Sequence, residues 1–132
     1  MDKPYVLVVD DEIDARETVI NFLKARYDCE FAEANDGEEA VEYLKSNPCH
    51  FIILDIKMPK KSGINVIKEA KELDPNIDIL IVSAWINEDL AEEATKLGAA
   101  DYISKPIDLN AMSLKFENIF KKKGIQVRKR QF

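Results

Sequence analysis

Cysteine and histidine are scarce in this chain of 132 residues: Cys29, Cys49 and His50 are the whole supply. They form no CxxC pair and no Cys/His cluster, which argues against a structural zinc site and against a disulfide framework. Both thiols are expected to be free and buried. Long apolar runs are lacking as well. The runs 5–9 and 51–54 are far shorter than the ~20 residues needed to cross a bilayer, and the start Met1-Asp2-Lys3-Pro4 lacks the basic end of a secretory signal. The expectation is a soluble, cytoplasmic protein with no membrane partner. No internal repeat, low-complexity segment or glycine-rich linker divides the sequence, and its length suits one domain. With 46% hydrophobic and 33% charged residues, the chain can build a core without a metal or a cross-link.

Charge is distributed unevenly. All 25 acidic residues and 13 of the 19 basic ones precede residue 121, a net −12, whereas Lys121, Lys122, Lys123, Arg128, Lys129 and Arg130 follow with no acid among them. An acidic body argues against nucleic acid binding through this domain. The basic end is expected to be a solvated tail or linker, so the domain is set at 1–122 and the tail at 123–132.

Short β-branched runs alternate with segments whose apolar residues recur at helical spacing. Strands are predicted at 5–9, 29–34, 51–54, 77–82 and 100–104. Helix stripes are marked by Val19, Ile20, Leu23 and Tyr27; by Ala40, Val41 and Leu44; by Ile64, Ile67 and Ala70; by Leu90, Ala94 and Leu97; and by Leu109, Met112, Phe116 and Ile119, with Gly124 ending the last. Asn35-Asp36-Gly37, Asn47-Pro48, Asp74-Pro75 and Leu97-Gly98 supply turn and helix-end chemistry between them. Five βα units with short connections imply a doubly wound α/β domain, a parallel sheet with helices on both faces.

Ligands of open parallel sheets bind at the carboxyl ends of the strands. Here those ends carry Asp10-Asp11, Asp55, Ser83 and Lys105-Pro106. Each has a bland explanation: Asp10, Asp11 and Glu12 as helix N-terminal acids, Asp55 as a loop residue, Ser83 as a turn former, Lys105 as a solvated cation. Their joint placement at four strand ends favours a single site. Three close carboxylates repel one another, and a hard divalent cation with oxygen ligands, most naturally Mg²⁺ with Mn²⁺ able to substitute, resolves the repulsion. Such a cation neutralises a phosphoryl group in transfer, Lys105 and Ser83 can hold its oxygens, and Asp55 becomes the candidate nucleophile.

Taken in order, Val8-Val9-Asp10-Asp11-Glu12, Asp55 with Met58-Pro59 and Gly63, Ser83-Ala84, Gly98-Ala99-Ala100-Asp101-Tyr102 and Lys105-Pro106 give the chain a pattern that resembles the receiver domain of two-component response regulators, over about residues 4–122. The resemblance implies a flavodoxin-like sheet in the order 2-1-3-4-5 with five helices. It implies that Asp55 is the phosphoacceptor, that Asp11, Asp55 and the Lys57 backbone carbonyl bind Mg²⁺ directly, and that Asp10 acts mostly through water. By the same resemblance Ser83 and Lys105 contact the phosphoryl group, and Lys105-Pro106 carries a cis peptide. Ser83 and Tyr102 would be the switch, remodelling the surface of helix four, strand five and helix five, which includes Glu88, Asp89, Glu92, Lys96, Asp101, Lys115 and Lys121. The implied partners are a sensor histidine kinase or a phosphotransfer protein, with a phosphorylation-dependent homodimer as a further expectation. The chain would be a switch that assists its own phosphorylation and dephosphorylation rather than an enzyme, either stand-alone or excised from a longer regulator.

Three positions depart from the commonest pattern: Ser83 in place of Thr, which keeps the hydroxyl, and Lys57 and Trp85. Lys57 and Trp85 stand at the expected pocket mouth, where a flexible cation and a rigid aromatic would shield the phosphoryl group from water and slow self-dephosphorylation, unless both side chains point into solvent or Trp85 belongs to a partner surface. Other functions fit less well. A flavin or nucleotide module would need a phosphate cradle after the first strand, and Asp10-Asp11-Glu12-Ile13-Asp14 would repel it. A Mg²⁺-dependent phosphatase with an aspartyl nucleophile would want a second acid two residues on, which Asp55-Ile56-Lys57 lacks.

Overall fold

The computed structural model describes residues 3–56, 63–84 and 88–124. Ten elements alternate along the chain: β1 (Tyr5–Val9), α1 (Ile13–Arg26), β2 (Glu30–Ala34), α2 (Gly37–Ser46), β3 (Phe51–Asp55), α3 (Gly63–Leu73), β4 (Asp78–Ser83), α4 (Glu88–Lys96), β5 (Asp101–Ser104) and α5 (Leu109–Lys122). The five strands form one parallel sheet in the order β2-β1-β3-β4-β5. The order and the helix count are those the family resemblance implies. None of the helices among the described residues is long and apolar enough to cross a membrane.

The period-two alternation of the strands divides the core in two. Val6, Val8, Phe51, Ile53, Leu80 and Val82 point to the face covered by α1 and α5, where Leu23, Tyr27, Phe116 and Phe120 meet them. Leu7, Val9, Ile52, Leu54, Ile79 and Ile81 point to the other face, packed by Ala40, Val41, Val66, Ile67 and Ala70 from α2 and α3, and by Ala94 from α4. Strand β3 is buried along its whole length, as a central strand covered on both faces must be, whereas edge strand β2 buries only Ala34 fully. The first face is the more aromatic. Phe116 lies with its ring centroid 5.0 Å from those of Tyr27, Phe51 and Phe120, and such pairs add about 0.5–1.5 kcal/mol each beyond the area they bury.

Element ends differ from expectation by one residue, each for a local reason. Cys29 lies outside β2, and Ile77 is held in a turn by its N–H to the Asp74 carbonyl rather than in β4. At the other end, Asp55 stays in register with Val82, and the Ile56 N–H continues the ladder to the Val82 carbonyl, so β3 carries its acid to the sheet's edge. Helix α2 is capped by Asp36, whose carboxylate accepts the Glu39 N–H at 2.9 Å. Helix α5 is capped by Asp108, which accepts from Asn110 and Ala111, and the chain leaves it through Gly124 at φ 73°. Neither cysteine is in a disulfide; Cys29 is buried, but Cys49, expected to be buried, is only partly covered.

Candidate functional site

Four strand ends converge on one rim of the sheet. Hydrogen bonds hold Asp10, the residue after β1, on every side. Its N–H donates to the Ala34 carbonyl at 3.2 Å, its Oδ1 accepts the Glu12 N–H at 2.9 Å, its Oδ2 accepts from Lys105 Nζ at 3.0 Å, and its carbonyl accepts from Arg16 at 2.7 Å. Asp55 ends β3 and is 6% exposed, as is Asp10, whereas Asp11 faces solvent. Asp10, Asp11 and Asp55 each offer a carboxylate oxygen, and these oxygens all lie within 4.8 Å of one another. Ser83 ends β4 and is fully buried; its carbonyl accepts the Lys105 N–H at 2.9 Å, which docks the residue after β5 beside it. The Lys105–Pro106 peptide is cis.

Lys105 Nζ reaches into the acid group and bonds both Asp10 Oδ2 and Asp55 Oδ2 at 3.0 Å. Burial pulls the lysine's pKa down, but the hydrogen bonds and charges of Asp10 and Asp55 outweigh burial and raise it, so the ammonium is the site's own counter-charge. The donor set is all oxygen, with Asp10 and Asp55 buried and Asp11 exposed, which fits a hard divalent cation better than a soft one.

The capping explanation fails for Glu12. Glu12 is the N-cap of α1 but makes no side-chain cap bond, and Asp10 turns back toward the site instead. Tyr102 stands outward on β5 at 44% exposure, more open than a half-buried strand aromatic, with its N–H bonded to Asp101 Oδ1. Beside it Lys115 Nζ lies 2.7 Å from Asp101 Oδ2, tying α5 to the start of β5. Lys57, with its carbonyl, and Trp85 lie outside the described residues, as do Met58 and Pro59.

Sequence reasoning missed Arg16. It is only 9% exposed and belongs to the buried side of α1 with Val19 and Leu23. A cation at a stripe position was the available signal.

A family model described as the response regulator receiver domain matches residues 6–117. The transcriptional regulatory protein ZraR of Klebsiella oxytoca is 37% identical over 109 residues, covering 83% of this chain and 24% of the relative, so the chain spans about a quarter of that relative's length. The chemotaxis protein CheY of Thermotoga maritima is 40% identical over 102 residues, 76% of this chain and 84% of the relative. Among solved structures, the CheX-CheY-BeF3-Mg+2 complex from Borrelia burgdorferi includes a chain that superposes with a TM-score of 0.81 at 28% identity, covering 89% of both chains.

Proposed function

The chain belongs to the response regulator receiver domain family, the receiver modules of two-component response regulators, and from that premise we propose that Asp55 accepts a phosphoryl group and that Asp10, Asp11, Ser83 and Lys105 serve that transfer. The observation that carries the proposal is the bridge from Lys105 Nζ to Asp10 and Asp55 inside a three-acid group. A fixed cation bonded to the same Asp55 that would receive phosphate is poised to hold the incoming oxygens.

In the transfer, a carboxylate oxygen of Asp55 attacks phosphorus while the bond from phosphorus to the donor breaks, and the donor leaves with that electron pair. Lys105 shifts from carboxylate to phosphoryl oxygen, and the Ser83 hydroxyl donates to another. Asp11 and Asp55, with the Lys57 carbonyl, would hold Mg²⁺ directly and Asp10 through water; when bound, the cation supplies charge neutralisation to the phosphoryl group. The phosphate then adds roughly −1.5 to −2 charges, which bias Ser83 and Tyr102 and with them the face formed by α4, β5 and α5. The domain spans 1–122, with 123–132 as a basic tail or linker. The phosphodonor is a sensor histidine kinase or a phosphotransfer protein, and the chain acts as a switch rather than turning over an external substrate. The altered face supports a phosphorylation-dependent homodimer, which an unchanged sedimentation coefficient with beryllofluoride would remove.

Intact-protein mass spectrometry after incubation with acetyl phosphate and Mg²⁺ tests the site. One acid-stable, base-labile phosphoryl group is expected on the parent and none on Asp55→Asn. Equal labelling of the two proteins would refute the assignment.

A further inference from the structure

The three acids differ in how they are held. Asp10 and Asp55 are buried and bonded to Lys105, but Asp11 is exposed, on the short turn between β1 and α1. A metal ligand on such a turn needs something to fix its position, and Arg16 is built to do that. Its Nη1 donates to the Asp10 carbonyl at 2.7 Å and to Asn35 Oδ1 at 3.1 Å, while its Nε donates to Glu33 Oε1 at 3.0 Å. The guanidinium thereby joins three elements: α1 that carries it, the end of β1 and the end of β2.

The Asp10 carbonyl oxygen lies in the same rigid peptide plane as the Asp11 nitrogen and Cα. A short charge-assisted bond to that oxygen fixes the plane from which Asp11 hangs. The Asp10 N–H is tied to Ala34 on the other side, so both peptide planes flanking Asp10 are anchored to β2 or to the arginine that β2 orients. A planar fork can bond two directions at once, which a lysine ammonium at the end of a flexible stem cannot reproduce.

We propose that Arg16, oriented by Glu33 and Asn35, is the positioning residue that presets Asp11 for the divalent cation. The proposal rests on the assignment of Asp10, Asp11 and Asp55 as the metal site. Arg16 touches neither phosphate nor metal; it acts through the Asp10 carbonyl.

The test is Mg²⁺ titration by calorimetry on the folded parent, Arg16→Met, Arg16→Lys, Glu33→Gln and, as a control, Leu23→Ala, with the metal-free Tm of each. Arg16→Met is expected to weaken Mg²⁺ binding about tenfold, the usual scale for losing a partner that orients a ligand. Arg16→Lys and Glu33→Gln shift it less, in the same direction, and labelling by acetyl phosphate in Arg16→Met recovers when Mg²⁺ is raised in proportion. Leu23→Ala loses Tm from the same buried side of the helix yet keeps the parent Kd. Parent-like Kd values in Arg16→Lys and Glu33→Gln would overturn the proposal even if Arg16→Met fails to fold, and so would equal weakening in Leu23→Ala. If the parent itself binds no Mg²⁺, the metal assignment falls and this inference with it; a parent that binds beside unaffected variants sinks the Arg16 role alone.

Discussion

Lys105 Nζ and Asp55 Oδ2 stand 3.0 Å apart, and the same ammonium lies 3.0 Å from Asp10 Oδ2. The lysine therefore bonds two of the three acids that would hold a divalent cation. Two positive charges compete for one set of acids, and the lysine must give ground as metal and phosphate arrive.

Lys105→Met should separate these roles. Without its cation the acid group loses two charged hydrogen bonds, and the metal-free protein should be destabilised by about 1–3 kcal/mol. Divalent-metal affinity should rise, because a competitor has left. Phosphoryl labelling of Asp55 should fall even at saturating metal. Titration of the metal against Tm reads the first two effects, and mass spectrometry reads the third; weaker metal binding in Lys105→Met would show that the lysine orders the site rather than competing for it.

Gly63 opens α3 directly against the strand that bears Asp55. Its N–H bonds the Ile56 carbonyl at 3.1 Å, and a Cβ there would sit 2.4 Å from Ile56 Cα and 2.8 Å from Ile56 O. Those atoms are backbone and cannot swing aside. Gly63→Ala should therefore cost about 1–3 kcal/mol as an overpacking change, read as a lower urea midpoint. Because Ile56 adjoins Asp55, slower phosphoryl labelling should accompany the loss.

Much of this arrangement was legible in the sequence, for a physical reason. In a parallel sheet the polar residues that interrupt apolar runs collect at one rim, so the sequence alone groups Asp10, Asp11, Asp55, Ser83 and Lys105. Helix stripes such as Val19 and Leu23 gave the covered faces. What was not legible depends on which strand ends come close in space. The use of Arg16 requires the end of β2, with Glu33 and Asn35, to approach the first turns of α1, and no spacing along the chain encodes that approach. Glu12 occupies the capping position without a side-chain cap bond, and its own N–H goes to the Asp10 carboxylate. The outward stance of Tyr102 was equally hidden, since period-two alternation on a four-residue edge strand fixes a face but not a rotamer.

Alkaline pH supplies a test away from the site. Burial pushes the Cys49 thiol up from 9.0 to about 11, against the lowering effect of backbone hydrogen bonds at Phe51 and Leu7. Burial and the hydrogen bond to Glu117 push the Tyr27 hydroxyl up from 10.0 to about 12; that hydroxyl lies 2.6 Å from both Ser113 Oγ and Glu117 Oε2, joining α1 to α5. In each case the folded chain keeps a proton that the unfolded chain has released. Stability is thus fully present below pH 9 and falls as pH rises, first between 9.0 and about 11 through Cys49, then between 10.0 and about 12 through Tyr27. Lys105, raised by its acid partners, adds to the fall above 10.5. Lys71 opposes it, because burial lowers its pKa and the unfolded chain then holds the extra proton. Chemical denaturation across pH 8–12 should show Cys49→Ser flattening the early part of the decline and Tyr27→Phe the later part, the latter from a lower starting stability because Ser113 and Glu117 lose their partner. Iodoacetamide should also modify Cys49 more slowly than a free thiol at pH 9, since only the thiolate reacts. A decline with the same slope in Cys49→Ser and in the parent, together with ordinary thiol reactivity, would mean that the Cys49 thiol ionises as readily in the folded chain as in the unfolded one.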